Sequence, residues 1–252
     1  MAFLEYHYFS KALEMMTTVS VLLPEPDQLG GEPLQTLYLL HGYSDDHTAW
    51  MRKSRIEDRA AKYRLCVVMP EVAHSFYTDI PYMEAYYTFV SKELPDAMEK
   101  LLPLRTDRGG RFIAGLSMGG YGAYKIAMNS PERYAGAASL SGVLRVEDEY
   151  ERKSVRANAM DILFQSQQAM IERGNNISAL MEKLPPEKAP MLYMACGTED
   201  FLFSQNERFY KDFGKRFAIR YDKEPGTHEW GFWDRHIQDA LDYFPIEKLD
   251  KQ

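Results

Sequence analysis

The 252-residue sequence predicts a single α/β domain, residues 1–252, in which helices cover both faces of a mostly parallel sheet. Three observations support this class. Short, continuous apolar runs recur along the chain, as is typical of strands buried on both faces. Segments of helical patterning separate most of these runs, in the order of a parallel sheet with crossover helices. One run is joined to one helix by a glycine-rich turn that contains a serine.

The N-terminal region predicts two strands with no helix between them. Residues 3–9 and 14–23 alternate between apolar and polar side chains, with a short break at Ser10 and Lys11. Parallel neighbours need a long crossover connection, so two strands this close are expected to run antiparallel. We therefore expect an antiparallel edge on the sheet.

The following elements alternate between strand and helix. Apolar runs predict strands at residues 37–40, 65–70, 111–114, 134–141, 191–197 and 217–221. Helical patterning predicts helices at residues 55–63, 84–102, 120–128, 204–213 and 230–243. Pro95 falls inside the second of these helices, where we expect it to kink the helix or to start a new one.

Residues 144–189 interrupt this alternation. The segment is rich in charge and has helical patterning, yet it contains no convincing strand and lies between two predicted strands. A long crossover of this kind is typical of a helical cap over an active site, and Pro185 and Pro186 would mark its end. The alternative is a solvated helical excursion that has no role with substrate.

Composition excludes several classes of protein. A net charge of -7 argues against a nucleic-acid surface and gives no attraction to anionic membranes. No apolar stretch approaches the roughly 18 residues that span a bilayer. The first residues lack the basic and apolar regions of a signal peptide, so a cytoplasmic location is the simplest interpretation, although a chain already freed of its signal peptide would look the same. Cys66 and Cys196 lie in apolar runs and are interpreted as buried small hydrophobes.

The segment Gly115-Leu116-Ser117-Met118-Gly119 fits the Gly-x-Ser-x-Gly nucleophile elbow. A predicted strand precedes it and a predicted helix follows it, which is the context the motif requires. A serine hydroxyl is a weak nucleophile and must be held at a sharp turn beside a base. The pattern therefore predicts a serine hydrolase with Ser117 as nucleophile; the alternative is an ordinary glycine-rich loop.

A base and an acid follow in the chain order of this architecture. His228 comes after the last predicted strand, whereas the other histidines lie before the serine or, for His236, inside the final helix. Asp200 comes shortly after the strand at residues 191–197, and its neighbour Glu199 is a competitor for the same role. We predict His228 as the base and Asp200 as the acid that orients it.

Backbone amides are expected to stabilise the oxyanion that forms during acyl transfer. One is the amide of Met118, directly after the nucleophile. The other belongs to the loop after an early strand, where Gly42 allows close approach of substrate and the Tyr43 amide is the candidate donor. The imidazole of His41 is expected to brace this loop by hydrogen bonding.

With these residues, the chain resembles the esterase D-like branch of the α/β hydrolases, and within it the bacterial tributyrin esterases, with feruloyl and acetyl esterases as relatives. The matching segments run through nearly the whole chain at residues 39–50, 67–70, 76–79, 93–95, 112–122, 196–200 and 226–230. The resemblance implies the α/β-hydrolase fold, a triad of Ser117, Asp200 and His228, and oxyanion donors at Tyr43 and Met118. Residues 144–189 match least, so the substrate is the weakest inference.

Aromatic residues near the predicted site suggest a substrate pocket. Phe76, Tyr77 and Asp79 follow the strand at residues 65–70, and Trp230 follows His228. Aromatic walls suit apolar acyl groups or a phenolic ring. Packing in the core explains the aromatic residues equally well.

The leading functional hypothesis is a carboxylesterase for short acyl esters, with small-molecule esters as its partners. Its rivals are a feruloyl or acetyl esterase acting on esters derived from plant polysaccharides, an S-formylglutathione hydrolase and, more remotely, a non-catalytic binding protein. No cofactor is expected, and no metal, because the sequence has no paired metal-ligand spacing and His41, His47, Asp45 and Asp46 form only a loose cluster. Neither a nucleic acid nor a membrane is an expected partner, and a homo-oligomer stays open.

Overall fold

A computed structural model of the chain describes residues 1–28, 31–151 and 157–249. Within these ranges, one eight-stranded sheet has the order β1-β2-β4-β3-β5-β6-β7-β8. Its strands are β1 (Ala2–Ser10), β2 (Met15–Leu23), β3 (Gln35–Leu40), β4 (Leu65–Pro70), β5 (Arg111–Leu116), β6 (Gly136–Leu140), β7 (Met191–Gly197) and β8 (Arg220–Glu224).

The sheet is antiparallel at one side and parallel elsewhere. β1 pairs antiparallel with β2, and β2 pairs antiparallel with β4. The other six strands, β3 to β8, run parallel to one another, so their carboxyl ends meet at one edge of the sheet. The predicted α/β class, the mostly parallel sheet and its antiparallel edge are confirmed.

The helices in the described residues lie between these strands, except for the last one, which follows β8. They are α1 (Ala49–Lys53), α2 (Ile56–Ala60), α3 (Tyr86–Thr88), α4 (Leu94–Leu101), α5 (Met118–Asn129), α6 (Val146–Glu151), α7 (Ala157–Phe164), α8 (Gln167–Glu172), α9 (Ile177–Lys183), α10 (Phe203–Phe213) and α11 (Trp230–Tyr243). Short 3-10 turns occupy Pro26–Gln28, Arg108–Gly110 and Pro186–Lys188. The motif serine thus stands between β5 and α5.

Two apolar clusters cover the two faces of the sheet. One contains Ile113 of β5 with residues of α5, and the other contains its neighbours Phe112 and Ala114 with residues of α11. Alternate side chains of a strand point to opposite faces. The central strands are therefore apolar at nearly every position, which is why they stand out in the sequence.

The boundaries of the last strand differ from the prediction. Phe217 and Ile219 are buried, but they lie in the turn after α10, and β8 begins at Arg220. The strand is polar because it lies at the edge of the sheet, where its side chains are partly or fully exposed. Apolar content therefore placed the strand three residues too early, at 217–221.

Pro95 changes the helix type without interrupting the helical path. Five residues of π-helix, Phe89–Glu93, connect α3 to α4, and Pro95 stands at the start of α4. A proline ring clashes with the carbonyl four residues earlier, here that of Ser91. That carbonyl accepts a hydrogen bond of 2.6 Å from Nη1 of Arg133. The wider turn and the arginine together accommodate the proline.

The insertion predicted at residues 144–189 contains α6 to α9 and, as expected, no strand in its described part. Residues 152–156, which include the charged Arg152 and Lys153, lie outside the described residues. The buried Phe164 packs its ring 6.1 Å from that of Phe76 and 6.4 Å from that of Tyr121 on α5. This contact fixes the described part of the insertion to the body of the domain.

Candidate active site

Ser117 stands in a strained turn between β5 and α5. Its backbone has φ 53° and ψ -116°, which is an unfavourable conformation for a residue with a side chain. The turn is tight enough that a Cβ on Gly115 would lie 2.5 Å from the carbonyl carbon of Gly119. Only glycine fits there, so the sequence motif reflects a steric requirement of the turn.

Three side chains form a continuous chain of hydrogen bonds at the carboxyl edge of the sheet. The Ser117 Oγ lies 3.0 Å from Nε2 of His228, and Nδ1 of the same imidazole lies 2.9 Å from Oδ2 of Asp200. His228 is 19% exposed at its side chain, whereas the carboxylate of Asp200 is fully buried. The arrangement can move a proton from the hydroxyl to the imidazole while the acid fixes the tautomer.

The two neighbouring acids have different partners. Asp200 also accepts a hydrogen bond of 2.8 Å from the amide of Leu202, which holds its second oxygen. Glu199 is exposed and accepts bonds from the Gly226 amide and from the hydroxyl of Thr198. The Gly226 bond lowers the pKa of Glu199. The structure therefore brings Asp200, and not Glu199, to the histidine.

Aromatic rings hold the imidazole of His228 on two sides. The ring of Phe201 lies 4.5 Å from it and that of Trp233 lies 4.8 Å from it, edge to face. Trp233 is itself fixed because its indole N–H donates a bond of 3.0 Å to the hydroxyl of Ser141. These contacts restrict the imidazole to the plane that faces Ser117.

His41 braces the loop beside the serine. Its Nδ1 donates a bond of 2.8 Å to the carbonyl of Gly42, and its Nε2 accepts one of 3.2 Å from the amide of Val72. Burial lowers the pKa of this imidazole. Both contacts together define a neutral tautomer, because a protonated Nε2 could not accept the amide.

A cavity of about 410 Å³ opens beside the serine and the histidine. Gly42, Tyr43, Leu116 and Trp230 contribute to its walls, together with Phe201 and Trp233. Lys53 and Asp45 lie at the same cavity and pair with each other at 2.8 Å. The site is thus bounded by aromatic rings together with a comparable share of polar surface, which includes one ion pair.

Three other residues singled out in the sequence lie elsewhere. Phe76 and Tyr77 are buried in the apolar core, where the Tyr77 hydroxyl donates a bond of 2.9 Å to the carbonyl of His41. Asp79 accepts bonds from the amide and the hydroxyl of Thr88. Phe76, Tyr77 and Asp79 are absent from the walls of the cavity, whereas Gly42 and Trp230 belong to them. A role of the first three in binding substrate stays a prediction.

The described part of the insertion does not contribute to the cavity. None of its residues at 144–151 or 157–189 lines the cavity beside Ser117. Closure of residues 144–189 over the site also stays a prediction.

In the loose cluster of His41, His47, Asp45 and Asp46, both nitrogens of His41 have backbone partners. Among the described residues, Asp222, His236 and Asp239 bring potential ligand atoms within 4.8 Å of one another. Arg220 and the hydroxyl of Tyr193 already donate to Asp222 there. Cys66 and Cys196 are both free and buried.

Several residues that line the cavity were not predicted to do so from the sequence, among them Phe201 and Lys53. Phe201 follows Asp200 directly, so its position after the acid could have indicated it. Lys53 ends α1, a five-residue helix absent from the prediction, and gave no signal. Within the described residues, no helix has both the length and the apolar character needed to cross a membrane.

The fold, the strained serine turn and the hydrogen-bonded histidine define an esterase-type serine hydrolase of the α/β-hydrolase class. A model of the putative esterase family matches residues 10–244. The chain therefore belongs to that family and is a carboxylic ester hydrolase.

Named relatives agree with this assignment. The chain is 32% identical to an acetyl esterase of Caldicellulosiruptor saccharolyticus, over 96% of this chain and 98% of the relative. A substrate-bound fluorophosphonate-binding serine hydrolase F of Staphylococcus aureus superposes with a TM-score of 0.88 at 30% identity, covering 96% of this chain and 98% of that one. An S-formylglutathione hydrolase of the same organism superposes with a TM-score of 0.85 at 31% identity, with the same coverage.

Proposed function

We propose that this protein is a carboxylesterase that cleaves short-chain acyl esters through Ser117, His228 and Asp200. The observation that carries the proposal is the unbroken hydrogen-bond chain from Asp200 through His228 to Ser117, which ends at a cavity open to a small ester. A nucleophile, a base and an orienting acid in this geometry are the requirements of acyl transfer.

The reaction would proceed in two steps. As the Ser117 oxygen attacks the ester carbonyl, His228 takes the hydroxyl proton and then gives it to the departing alcohol, which leaves an acyl-serine. Water then attacks the acyl-serine, His228 takes a proton from the water, and the same proton returns to the serine as the acid leaves. Asp200 stabilises the imidazolium and does not itself change protonation.

The peptide plane between Gly42 and Tyr43 supports an oxyanion role for the Tyr43 amide. The Gly42 carbonyl is held by His41 Nδ1 at 2.8 Å and by the amide of Asp45 at 3.2 Å. In a trans peptide the N–H points opposite to the carbonyl, so these bonds direct the Tyr43 N–H away from His41. Met118 is the first residue of α5, and the first amides of a helix have no acceptor within it.

The cavity beside Ser117 supports a small-molecule ester as the substrate. Its volume of about 410 Å³ accommodates both the acyl and the alcohol parts of such an ester. Trp230 and Trp233 pack edge to face at 5.5 Å and bound one side of it. The likeness to an acetyl esterase over nearly the full length points in the same direction.

The test is hydrolysis of p-nitrophenyl esters from acetate to octanoate by the wild type and Ser117→Ala, with methyl ferulate and S-formylglutathione as further substrates. We expect kcat/KM to be highest for the short chains and Ser117→Ala to lose about 10⁴-fold or more in kcat. A wild type that is inert on every substrate and does not react with a fluorophosphonate while folded would support a non-catalytic binding protein instead.

S-formylglutathione hydrolysis is the second candidate, favoured by the structural relative that bears that name. Glutathione carries two carboxylates, which a cationic site would attract. Among the described residues, the lysine on the cavity wall is Lys53, which is already paired with Asp45 at 2.8 Å. We therefore expect the simple acyl esters to be the better substrates, and a kcat/KM that is higher for S-formylglutathione would reverse the order of the two candidates.

A further inference from the structure

The two edges of the sheet are built differently. β8 is five residues long and four of them are charged, Arg220, Asp222, Lys223 and Glu224. Short length and charge are the usual protection of an edge strand against pairing with another chain. β1 at the opposite edge has nine residues, with neither proline nor lysine among them. Its unpaired edge therefore lacks the protection that β8 has.

β1 also carries exposed apolar side chains. Phe3 is 51% exposed and Phe9 is 59% exposed, and the Cα partner of Phe9 on β2, Met16, is 61% exposed. Between the two phenylalanines on the same face lie Glu5 and His7, both also exposed. The row reads Phe, Glu, His, Phe along one face of the strand.

This row is complementary to itself in one antiparallel register. With Tyr6 on a two-fold axis, Phe3 faces Phe9 of a second strand, and Glu5 faces His7, each pair occurring twice. If Glu5 lay on the axis instead, the two Glu5 carboxylates would face each other and repel. If His7 lay on the axis, Glu5 of one strand would face Phe9 of the other. A strand can shift only by two residues without turning its faces over, so the Tyr6 register is favoured over its neighbours.

We propose that β1 pairs antiparallel with β1 of a second copy of this chain, with Tyr6 on the two-fold axis, and so joins two sheets into a symmetric homodimer. The backbone groups of the free edge gain partners, and the self-complementary row gives an isologous interface. The triads lie at the carboxyl edge of each sheet, so the dimer leaves both cavities outside the pairing seam.

The first test is the molar mass of the full chain by light scattering and sedimentation over a range of concentrations. We expect twice the 29.2 kDa of the chain. His7→Glu sets Glu5 against a second carboxylate at both pairs, and we expect it to weaken dimerisation about tenfold or more. The double variant Glu5→His with His7→Glu exchanges the two groups and should restore the dimer, while Lys100→Gln, a change of the same charge at an exposed residue of α4, should not alter it.

A cysteine test fixes the register. Tyr6→Cys brings two thiols to directly opposed positions, within the Cα range of a disulfide, and the native cysteines are buried. In Leu4→Cys the two thiols are four residues apart along the pair, at about 3.4 Å per residue, which is too far. Oxidised dimers of Tyr6→Cys alone support the proposal. A monomeric wild type, a His7→Glu variant with unchanged mass, or cross-linking of Leu4→Cys in place of Tyr6→Cys would overturn it.

Discussion

Helix α5 carries one polar centre at its N-terminal end and another in its C-terminal half, and the two differ in how their hydrogen-bonding groups are satisfied. At the N-terminal end, Ser117 is strained and its partner His228 is partly exposed to a cavity. Eight residues later, Lys125 is completely buried. The first centre leaves a proton free to move, and the second does not.

Lys125 is surrounded by oxygen atoms. Its Nζ lies 3.1 Å from the carbonyl of Phe76, 2.6 Å from that of Tyr77, 2.8 Å from Oγ1 of Thr78 and 3.1 Å from Oδ1 of Asn175. These groups belong to the loop after β4 and to the insertion. One buried amino group, whose pKa is lowered by burial, therefore ties both segments to α5 through its hydrogen bonds.

The comparison shows that a buried polar group and a strained polar group on the same helix have different roles. Where every donor has an acceptor, the group supports the fold. Where a hydroxyl stands in a strained turn beside a base that faces a cavity, the group is available for chemistry. Substitutions at the first centre should therefore change activity more than stability, and those at the second should do the reverse.

The largest expected effect is at Asp200, the proposed acid of the triad. We expect Asp200→Asn to lower kcat about 10⁴-fold, because the amide cannot fix the imidazole tautomer that the reaction needs. Glu199→Gln is the matched control, since Glu199 is adjacent but contacts Gly226 and Thr198. Kinetics on a short p-nitrophenyl ester measure both, and a loss in Glu199→Gln as great as that in Asp200→Asn would contradict the assignment.

The next effect is on stability. We expect Lys125→Met to lower the free energy of unfolding by about 3 kcal/mol, because four buried oxygens lose their donor while little volume changes. Lys100→Met, at an exposed lysine, should stay within about 0.5 kcal/mol of the wild type. Urea unfolding measures both, and equal stability of the two variants would show that the lysine does not hold the segments together.

The smallest effect concerns His41, which lies near the cavity yet resembles Lys125 in being buried with both nitrogens in hydrogen bonds. Its pKa in the folded state is lowered from 6.5, so below that pH the unfolded chain binds the proton more readily. Its contribution to stability is therefore complete above pH 6.5 and declines as the pH falls, by at most about 1.4 kcal/mol per pH unit.

The measurement is the free energy of unfolding against pH for the wild type and His41→Gln. We expect a shallower acid slope in the variant. The same slope in both proteins would show that His41 does not titrate with folding.

The sequence by itself determined the class of fold and the position of the serine turn. Strands buried on both faces must be apolar at nearly every position, and a turn in which Gly115 touches Gly119 admits no side chain. Both are local steric or solvation requirements, so they leave a local pattern. The same reasoning failed at β8, where an edge strand is exposed and its apolar signal is lost.

Only the tertiary structure decided which distant groups meet. It brought Asp200 rather than its neighbour to His228 at 2.9 Å, added Phe201 and Lys53 to the cavity wall, and buried Lys125 against a loop and the insertion. These contacts join residues that are far apart along the chain. The sequence around a charged or aromatic residue does not show whether its side chain will be exposed or buried. Their physical meaning comes from burial and from partners, and neither exists until the chain has folded.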